Sequence, residues 1–376
     1  MAEPAFPQID RTHMARALHL ARHGLGRVEP NPMVGAVVAM GDRVIAEGWH
    51  GQFGGPHAER IALQKAGPLA HGSTLYVTLE PCCHAGKTPP CTEAIIAAGV
   101  ARVLAAMTDP FPDVAGRGVA ALRQAGIDVQ VGLMETEARR LNAPFIKRHT
   151  IGRPYVIAKW AQTLNGRLAT VSGDSRWISS PESRRWVHSL RSRTDGILVG
   201  SGTAMADDPL LTVRLDSGTG DYGRRPTRIV LDSRLRLPPT SHLVATASEV
   251  PLLIATREGA DAARRRELEA RQATVIEMPH NAAGIDLAAL FDELARRNMT
   301  ILLVEGGPRV LSSLFSAGLA DRVAVFIAPK LVGGDPVHAA PGPHGPTAMS
   351  DALALLRPAF TPIGDDVLVE GVLRDY

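Results

Sequence analysis

Two α/β domains are what this chain predicts, and three observations predict them. At 376 residues it is longer than one hydrophobic core usually fills, so two domains are expected. Strand-like apolar runs alternate with helical spacings through both halves, the pattern of sheets covered by helices. Between the halves, an amphipathic stretch from Glu135 to His149 runs out into "IGRP" (151–154), a Gly/Pro break that separates 1–150 from 151–376.

Composition narrows the class further. With 45% hydrophobic and 21% charged residues and no unbroken apolar run near twenty residues, the chain reads as soluble and globular, not disordered or membrane-spanning. The opening "MAEPAFPQIDRTHMARALHL" has acidic residues and prolines where a signal peptide needs a basic start and an apolar stretch, so a cytoplasmic protein is expected. In that reducing compartment structural disulfides are disfavoured, and all three cysteines fall within "EPCCHAGKTPPC" (80–91). The formal charge of +3 comes from 41 basic and 38 acidic residues spread along the chain. No Lys/Arg run of the kind that tracks a phosphate backbone stands out, so neither nucleic acid nor membrane is an expected partner.

In the first half, Asp10 is placed to cap a helix carrying Met14, Ala17, Leu18 and Ala21 on one face. "MVGAVVAMGDRVIAEGWH" (33–50) follows as two apolar runs joined by Gly41-Asp42, a hairpin signal, and His57 to Ala66 reads as a helix after Pro56. "STLYVTLE" is β-rich and runs into the cysteine stretch. Thr92 to Ala98 is helical, "ARVLAAM" a strand, Gly116 to Ala125 a helix, "IDVQVG" a strand, and Glu135 to His149 the last helix.

The second half restarts with the strand-like "RPYVIAKWAQTLNG" (153–166) and a long helix from Pro181 to Arg193. "DGILVGSGTAMADDP" (195–209) reads as strand, glycine turn and polar loop. Further strands are expected at "TRIVLD", "PLLIAT", "ATVIEM", "TILLVEGG", "RVAVFIAP" and "DVLVEGVL". The Pro/Gly-rich "LVGGDPVHAAPGPHGP" (331–346) is expected to be a loop over a site or an interface.

Chemistry concentrates in the first half. "PHAER" sets His57 and Glu59 two apart, and Glu80 leads into Pro81-Cys82. Zinc accepts one imidazole and two thiolates while keeping its fourth position for water, whose pKa it lowers; a nearby carboxylate can then carry the proton to a leaving amine. Glu59 is the candidate shuttle. Its spacing from His57 differs from the four-residue spacing of the histidines on a metalloprotease helix, so peptidase chemistry is disfavoured. The three cysteines could instead close a structural zinc site with His84, or form an inert buried cluster. Residue physics alone does not choose between Cys82 and Cys83.

Taken together, "HAE" and "EPCCHAGKTPPC" resemble the zinc-dependent cytidine and nucleobase deaminases, whose signature is His-x-Glu followed by Pro-Cys and a second cysteine. One departure is informative, since Cys91 follows Cys82 by nine positions rather than three. That longer gap, with "PNPMVGAVV" and "GWHGQFGGPHAE" upstream, is similar to the riboflavin-pathway deaminases. The resemblance implies His57, Cys82 and Cys91 as zinc ligands and Glu59 as proton shuttle, with Cys83 a bystander. Within the insert, His84, Lys87 and Thr88 are candidate contacts to a sugar-phosphate substrate, and Asn31 could read a pyrimidine edge with its amide.

The second half does not carry a Rossmann fingerprint, because Met205 stands where the third small residue of "GSGTAM" is needed. "LLVEGGPRVLSSLF" (302–315) instead places Gly306-Gly307 between a strand and a helix, where backbone N–H groups can meet phosphate. In order, "AKWAQTLNGRLAT", "SGDSRWIS", "GILVGSGTAMADDPLLTVR" and "LLVEGGPRVL" resemble the dihydrofolate-reductase-like reductase domain of the bifunctional riboflavin biosynthesis family. Asn165 departs from the aspartate usual there. The resemblance implies an NADPH site lined by Ala161, Trp177, Thr203, Asp207, Ser233 and the turn at Gly307, and a substrate site lined by Ser175, Arg191, Leu211, Arg214 and Glu305. Arg191 and Arg214 are chemically suited to grip a phosphate, whereas Leu211 can only pack. Lys159 is a further polar candidate at the end of its strand.

The resulting expectation is a cytidine-deaminase-like three-layer domain followed by a dihydrofolate-reductase-like α/β domain. Zn2+ serves hydrolytic deamination of a pyrimidine ribosylamine phosphate, and NADPH serves reduction of its ribosyl group to ribityl. The rivals are a nucleobase or RNA deaminase with an unrelated reductase-like domain, and a structural zinc module joined to a nucleotide-binding regulatory domain. Oligomeric state is open, a homo-oligomer included.

Overall fold

The computed structural model describes residues 6–84, 89–111, 114–215, 224–281, 284–334 and 348–376. The chain divides into two units, 1–152 with Tyr376, and 153–375.

The first unit contains α1 (Gln8–Ala21), β1 (Gly35–Met40), β2 (Arg43–Trp49), α2 (Ala58–Ala66), β3 (Thr74–Val77), α3 (Cys91–Ala97), β4 (Arg102–Ala105), α4 (Arg117–Gln124), β5 (Asp128–Val131), α5 (Glu135–Leu141) and α6 (Ala143–Ile151). Its sheet runs β2-β1-β3-β4-β5. The β1 strand is antiparallel to both neighbours, and β3, β4 and β5 are parallel. Two glycines explain the layering. A Cβ on Gly35 would meet the Ala17 carbonyl oxygen of α1 at 2.0 Å, and one on Gly48 would meet the Ala58 carbonyl oxygen of α2 at 2.3 Å. Gly48 pairs with Ala36, so it faces the side of the sheet opposite to Gly35. The two helices therefore cover opposite faces, and the backbones approach so closely that only glycine fits. This is the three-layer arrangement that the sequence implied.

The second unit contains β6 (Tyr155–Thr163), α7 (Pro181–Arg191), β7 (Gly196–Gly200), α8 (Ser201–Asp207), β8 (Thr227–Leu231), α9 (His242–Ala245), β9 (Leu252–Arg257), α10 (Ala262–Glu269), β10 (Thr274–Met278), β11 (His280–Asn281), β12 (Gly284–Ile285), α11 (Leu287–Arg296), β13 (Ile301–Val304), α12 (Pro308–Ser316), β14 (Arg322–Ala328), β15 (Leu356–Ile363) and β16 (Asp366–Val372). A nine-stranded sheet runs β10-β9-β8-β7-β13-β6-β14-β16-β15. It is parallel from β10 to β14, and β16 and β15 add antiparallel. The strands β7 and β6 flank β13, so chain order reverses at the sheet centre, the place where open α/β sheets bind ligands beyond their carboxyl ends. Ala161, Gly200, Ser233 and Gly306-Gly307 all sit at or just past those ends.

Three local expectations are corrected. Asp10 does not cap α1: Pro7 occupies that position. The Asp10 carboxylate is buried instead, accepting from Tyr76 Oη at 2.7 Å and pairing with Arg102 at 3.0 Å. The helix expected from Glu135 to His149 is two helices broken at Asn142, whose side chain takes the Met33 N–H at 2.8 Å and donates to the Met33 carbonyl at 3.0 Å. Residues 201–207, expected as turn and loop, form α8. Of the Pro/Gly-rich loop, residues 335–346 lie outside the described residues.

Candidate functional site

The first unit gathers its chemistry at two helix starts. His57 is the residue before α2, in extended conformation, and Glu59 lies in the first turn of that helix. Cys91 opens α3, and its backbone N–H points at Cys82 Sγ, 3.4 Å away. Nδ1 of His57 lies 3.3 Å from Cys91 Sγ and 3.5 Å from Cys82 Sγ. The ligand atoms of His57, Cys82 and Cys91 all fall within 4.8 Å of one another. Cys83 is not part of this group, and neither is His84, which is exposed.

Glu80 holds this loop in place. Its buried carboxylate accepts the backbone N–H groups of Asp109 at 3.1 Å, Gly116 at 2.9 Å and Val119 at 3.0 Å. That three-point grip anchors Pro81-Cys82 beneath the start of α4.

The donor set fits a divalent zinc ion. Contact with Cys91 lowers the Cys82 thiol to about 4, while the same contact pushes Cys91 up. Two sulfurs this close hold one negative charge between them unless a cation bridges them. One imidazole nitrogen and two sulfurs also leave a fourth position open, as catalytic zinc sites do. Burial pushes the Glu59 carboxyl up against the pull of His57.

Asn31 and His50 complete this end of the unit. Asn31 Nδ2 donates to His50 Nε2 at 3.2 Å, so His50 Nδ1–H donates to the Pro56 carbonyl at 3.1 Å. Burial lowers the His50 pKa, in keeping with a neutral ring. The His50 ring stands edge-on to that of His57, 5.6 Å away. Sequence reasoning singled out Asn31 but missed His50, whose signal was its place just ahead of "GQFGGPHAE". It also missed Asp109, which burial pushes up to about 6 in the field of Glu80, His84 and Cys82. Lys87 and Thr88 lie outside the described residues.

In the second unit the carboxyl ends of the central strands bring several expected residues together. Arg191 of α7 clasps Glu305 with two bonds, 2.6 and 3.0 Å, and donates from Nη1 to the Thr212 carbonyl at 3.1 Å. Each of its nitrogens makes one bond, which leaves one N–H on Nη1 and one on Nη2 for a ligand. Lys159 Nζ lies 3.7 Å from Glu305. Burial alone would raise Glu305, yet Arg191 and Lys159 hold it down to about 2. Arg214 is exposed, and its N–H donates to His188 Nδ1 at 3.1 Å. Leu211 is buried with φ +49. Sequence reasoning missed His188, which sits one turn before Arg191 on α7.

Ser175 Oγ donates to Asp207 Oδ1 at 3.3 Å. Trp177 is 62% exposed, with Arg184 over its ring at 4.5 Å. Ala161 and Ser233 are half-buried at the ends of β6 and β8. Asn165 keeps its turn: its Oδ1 accepts from Thr163 Oγ1 at 2.7 Å and its Nδ2 donates to the Val332 carbonyl at 2.8 Å, a bond that aspartate could not make.

The turn at Gly306-Gly307 fits a nucleotide cofactor. A Cβ on Gly306 would overlap Val310 at 2.7 Å, and one on Gly307 would come to 3.0 Å from Thr203 Oγ1. Gly307 precedes α12, with Pro308 at its first position, so the turn sets the start of a helix beside Thr203, where backbone N–H groups can meet a phosphate.

Residues 7–107 match the family described as the cytidine and deoxycytidylate deaminase zinc-binding region, and residues 154–368 match the one described as the RibD C-terminal domain. Riboflavin biosynthesis protein RibD of Escherichia coli is 46% identical over 334 residues, 87% of this chain and 89% of the relative. Its counterpart in Aquifex aeolicus is 41% identical over 362 residues, 96% and 98%. Among solved structures, Acinetobacter baumannii RibD matches with TM-score 0.85 and 34% identity, covering 97% of this chain and 99% of that one. A diaminohydroxyphosphoribosylaminopyrimidine deaminase/5-amino-6-(5-phosphoribosylamino)uracil reductase from Thermotoga maritima matches with TM-score 0.81 and 36% identity, covering 96% and 98%. With a zinc-type donor set in one half, a nucleotide turn in the other and relatives aligned across both, this chain belongs to the RibD family of riboflavin biosynthesis proteins.

Proposed function

We propose that this chain performs two consecutive steps on one small molecule. The first unit hydrolytically deaminates 2,5-diamino-6-ribosylamino-4(3H)-pyrimidinone 5′-phosphate, and the second reduces the ribosyl group of the product to ribityl with NADPH. The observation that carries this reading is the convergence of His57 Nδ1, Cys82 Sγ and Cys91 Sγ within 4.8 Å, beside the buried carboxylate of Glu59. Beyond ligands, a closed structural site has no use for an acid–base group.

His57, Cys82 and Cys91 would hold zinc, which supplies the Lewis acidity that makes water a nucleophile at neutral pH. Glu59 accepts a proton from the attacking water and returns it to the exocyclic nitrogen, so that ammonia departs and a carbonyl remains. His50, held neutral, and Asn31 line the approach, where amide and imidazole dipoles suit a pyrimidine edge without adding charge.

In the second unit Thr203 and the Gly307 turn, with Ala161, Trp177, Asp207 and Ser233, would hold NADPH, which supplies the hydride. Arg214 is the exposed cation suited to the substrate phosphate, and Leu211 packs on the substrate while Ser175 and Glu305 offer polar contacts. Arg191 orients Glu305 through two bonds, and its remaining N–H groups on Nη1 and Nη2 are donors for the substrate.

The test supplies the pyrimidine phosphate and measures ammonia release, then NADPH consumption. Glu59→Gln is expected to retain zinc, release no ammonia and still reduce separately prepared deaminated substrate. Normal deamination by this variant would overturn the role given to Glu59.

A further inference from the structure

NADPH differs from NADH by one phosphomonoester on its adenosine ribose, which carries about −1.5 to −2 charge at neutral pH. An enzyme that tells them apart must offer a cation there and withhold the carboxylate that would hydrogen-bond a free 2′-hydroxyl.

The carboxyl end of β8 meets both conditions. Asp232, the residue after the strand, is fully buried, and its Oδ2 accepts the Leu237 N–H at 2.7 Å, so this carboxylate is turned away from any ribose. Arg236, four residues on, keeps its side chain 53% exposed; the Asp232 carboxylate approaches its Nε only to 3.9 Å. Arg236 Nη2 donates to Ser201 Oγ at 2.9 Å. Ser201 opens α8, the helix that carries Thr203 and Asp207, and Thr203 faces Gly307. The guanidinium therefore bridges the β8 end, where Ser233 sits, to the helix beside the glycine turn. Arg234 is exposed next to Ser233.

We propose that Arg236, with Arg234 beside it, receives the 2′-phosphate of NADPH and sets the preference of the second unit for NADPH over NADH. This rests on the reading of that unit as an NADPH-dependent reductase. Ser201 holds the guanidinium in place through one hydrogen bond while its other nitrogens remain available to phosphate oxygens, a geometry in which arginine is strong and lysine a weaker substitute.

Equilibrium binding of NADPH and NADH to the whole protein, read from dihydronicotinamide fluorescence without substrate, tests this. Arg236→Ala is expected to weaken NADPH about 10- to 100-fold and leave NADH unchanged, as expected for loss of a charge-assisted bond to one phosphate. Arg236→Lys should recover part of the loss, and 2′,5′-ADP should lose its advantage over 5′-ADP as a competitor. Ser201→Ala, which keeps the charge, should preserve the preference. Equal weakening of both cofactors would overturn the assignment, since the arginine would then serve the diphosphate or merely hold α8; so would an unchanged NADPH affinity. A wild-type protein that binds neither cofactor would fail the reductase reading itself.

Discussion

Arg191 and Glu305 meet through two parallel bonds, Nε to Oε1 at 2.6 Å and Nη2 to Oε2 at 3.0 Å, with side chains 12% and 11% exposed. Removing Arg191 leaves the buried carboxylate with Lys159, 3.7 Å away, as its remaining cation, and losing one partner of so buried a pair costs about 3–5 kcal/mol. Arg191→Met is therefore expected to destabilise the second unit by that amount in urea unfolding. Tryptophan fluorescence can follow it, because Trp160, Trp177 and Trp186 lie in that unit. Adding Glu305→Leu and Lys159→Met, which removes all three charges of the cluster, should recover most of the stability but none of the reductase activity. A triple variant no more stable than Arg191→Met would show that the uncompensated carboxylate is not the cause.

His188 gives the second unit a pH dependence. Burial, then the charges of Arg191 and Arg214, lower its pKa to about 4, against about 6.5 in an unfolded chain. Between those values the unfolded chain takes a proton that the folded one refuses, so stability falls as pH drops from about 6.5 towards 4 and is flat above. Glu305 does not overlap this window: its carboxyl, held at about 2, contributes stability that is complete above about pH 4.3 and lost only as pH falls through 2. His188→Gln keeps an acceptor for the Arg214 N–H and removes the titration. Urea midpoints at pH 7.5 and 5 should differ less in this variant than in the wild type. An identical difference would rule out His188 as its source.

What could be read ahead of the structure was local. The alternation of apolar runs marked both sheets, and the resemblance carried by "HAE" and "EPCCHAGKTPPC" pointed to His57, Cys82 and Cys91, which the structure brings within 4.8 Å of one another, because residue type and order are written along the chain. What could not be read depends on partners far away in sequence. Asn142 breaks its helix because Met33, 109 residues earlier, offers it both a donor and an acceptor. Asp10 looks like a cap until Tyr76 and Arg102 claim its carboxylate. Nothing in the neighbourhood of Arg191 announces Glu305, 114 residues on, either.

Zinc content separates the adjacent cysteines. The structure groups Cys82, but not Cys83, with His57 and Cys91. Cys83→Ser is expected to keep one zinc per chain and its ammonia release. Cys82→Ser and Cys91→Ser should lose metal and deamination while NADPH-dependent reduction of the deaminated substrate continues. Metal measured by a colorimetric chelator after denaturation decides it. Zinc loss in Cys83→Ser matching that in Cys82→Ser would mean that the pair exchanges roles.

Gly118 should control the metal without touching it. A Cβ there would stand 2.0 Å from the Pro81 carbonyl oxygen and 3.2 Å from Glu80 Oε1, and Val119 next to it donates the N–H that Glu80 accepts at 3.0 Å. The obstacle is backbone, which cannot rotate aside, so Gly118→Ala must push α4 away from the segment that delivers Cys82. Overpacking of this kind costs about 1–3 kcal/mol. The displaced Cys82 should also weaken zinc binding in competition with a chelator and lower ammonia release in proportion, with the reductase rate unchanged. If the variant loses stability but binds zinc as tightly as wild type, the grip of Glu80 on the α4 start is not what fixes the ligand.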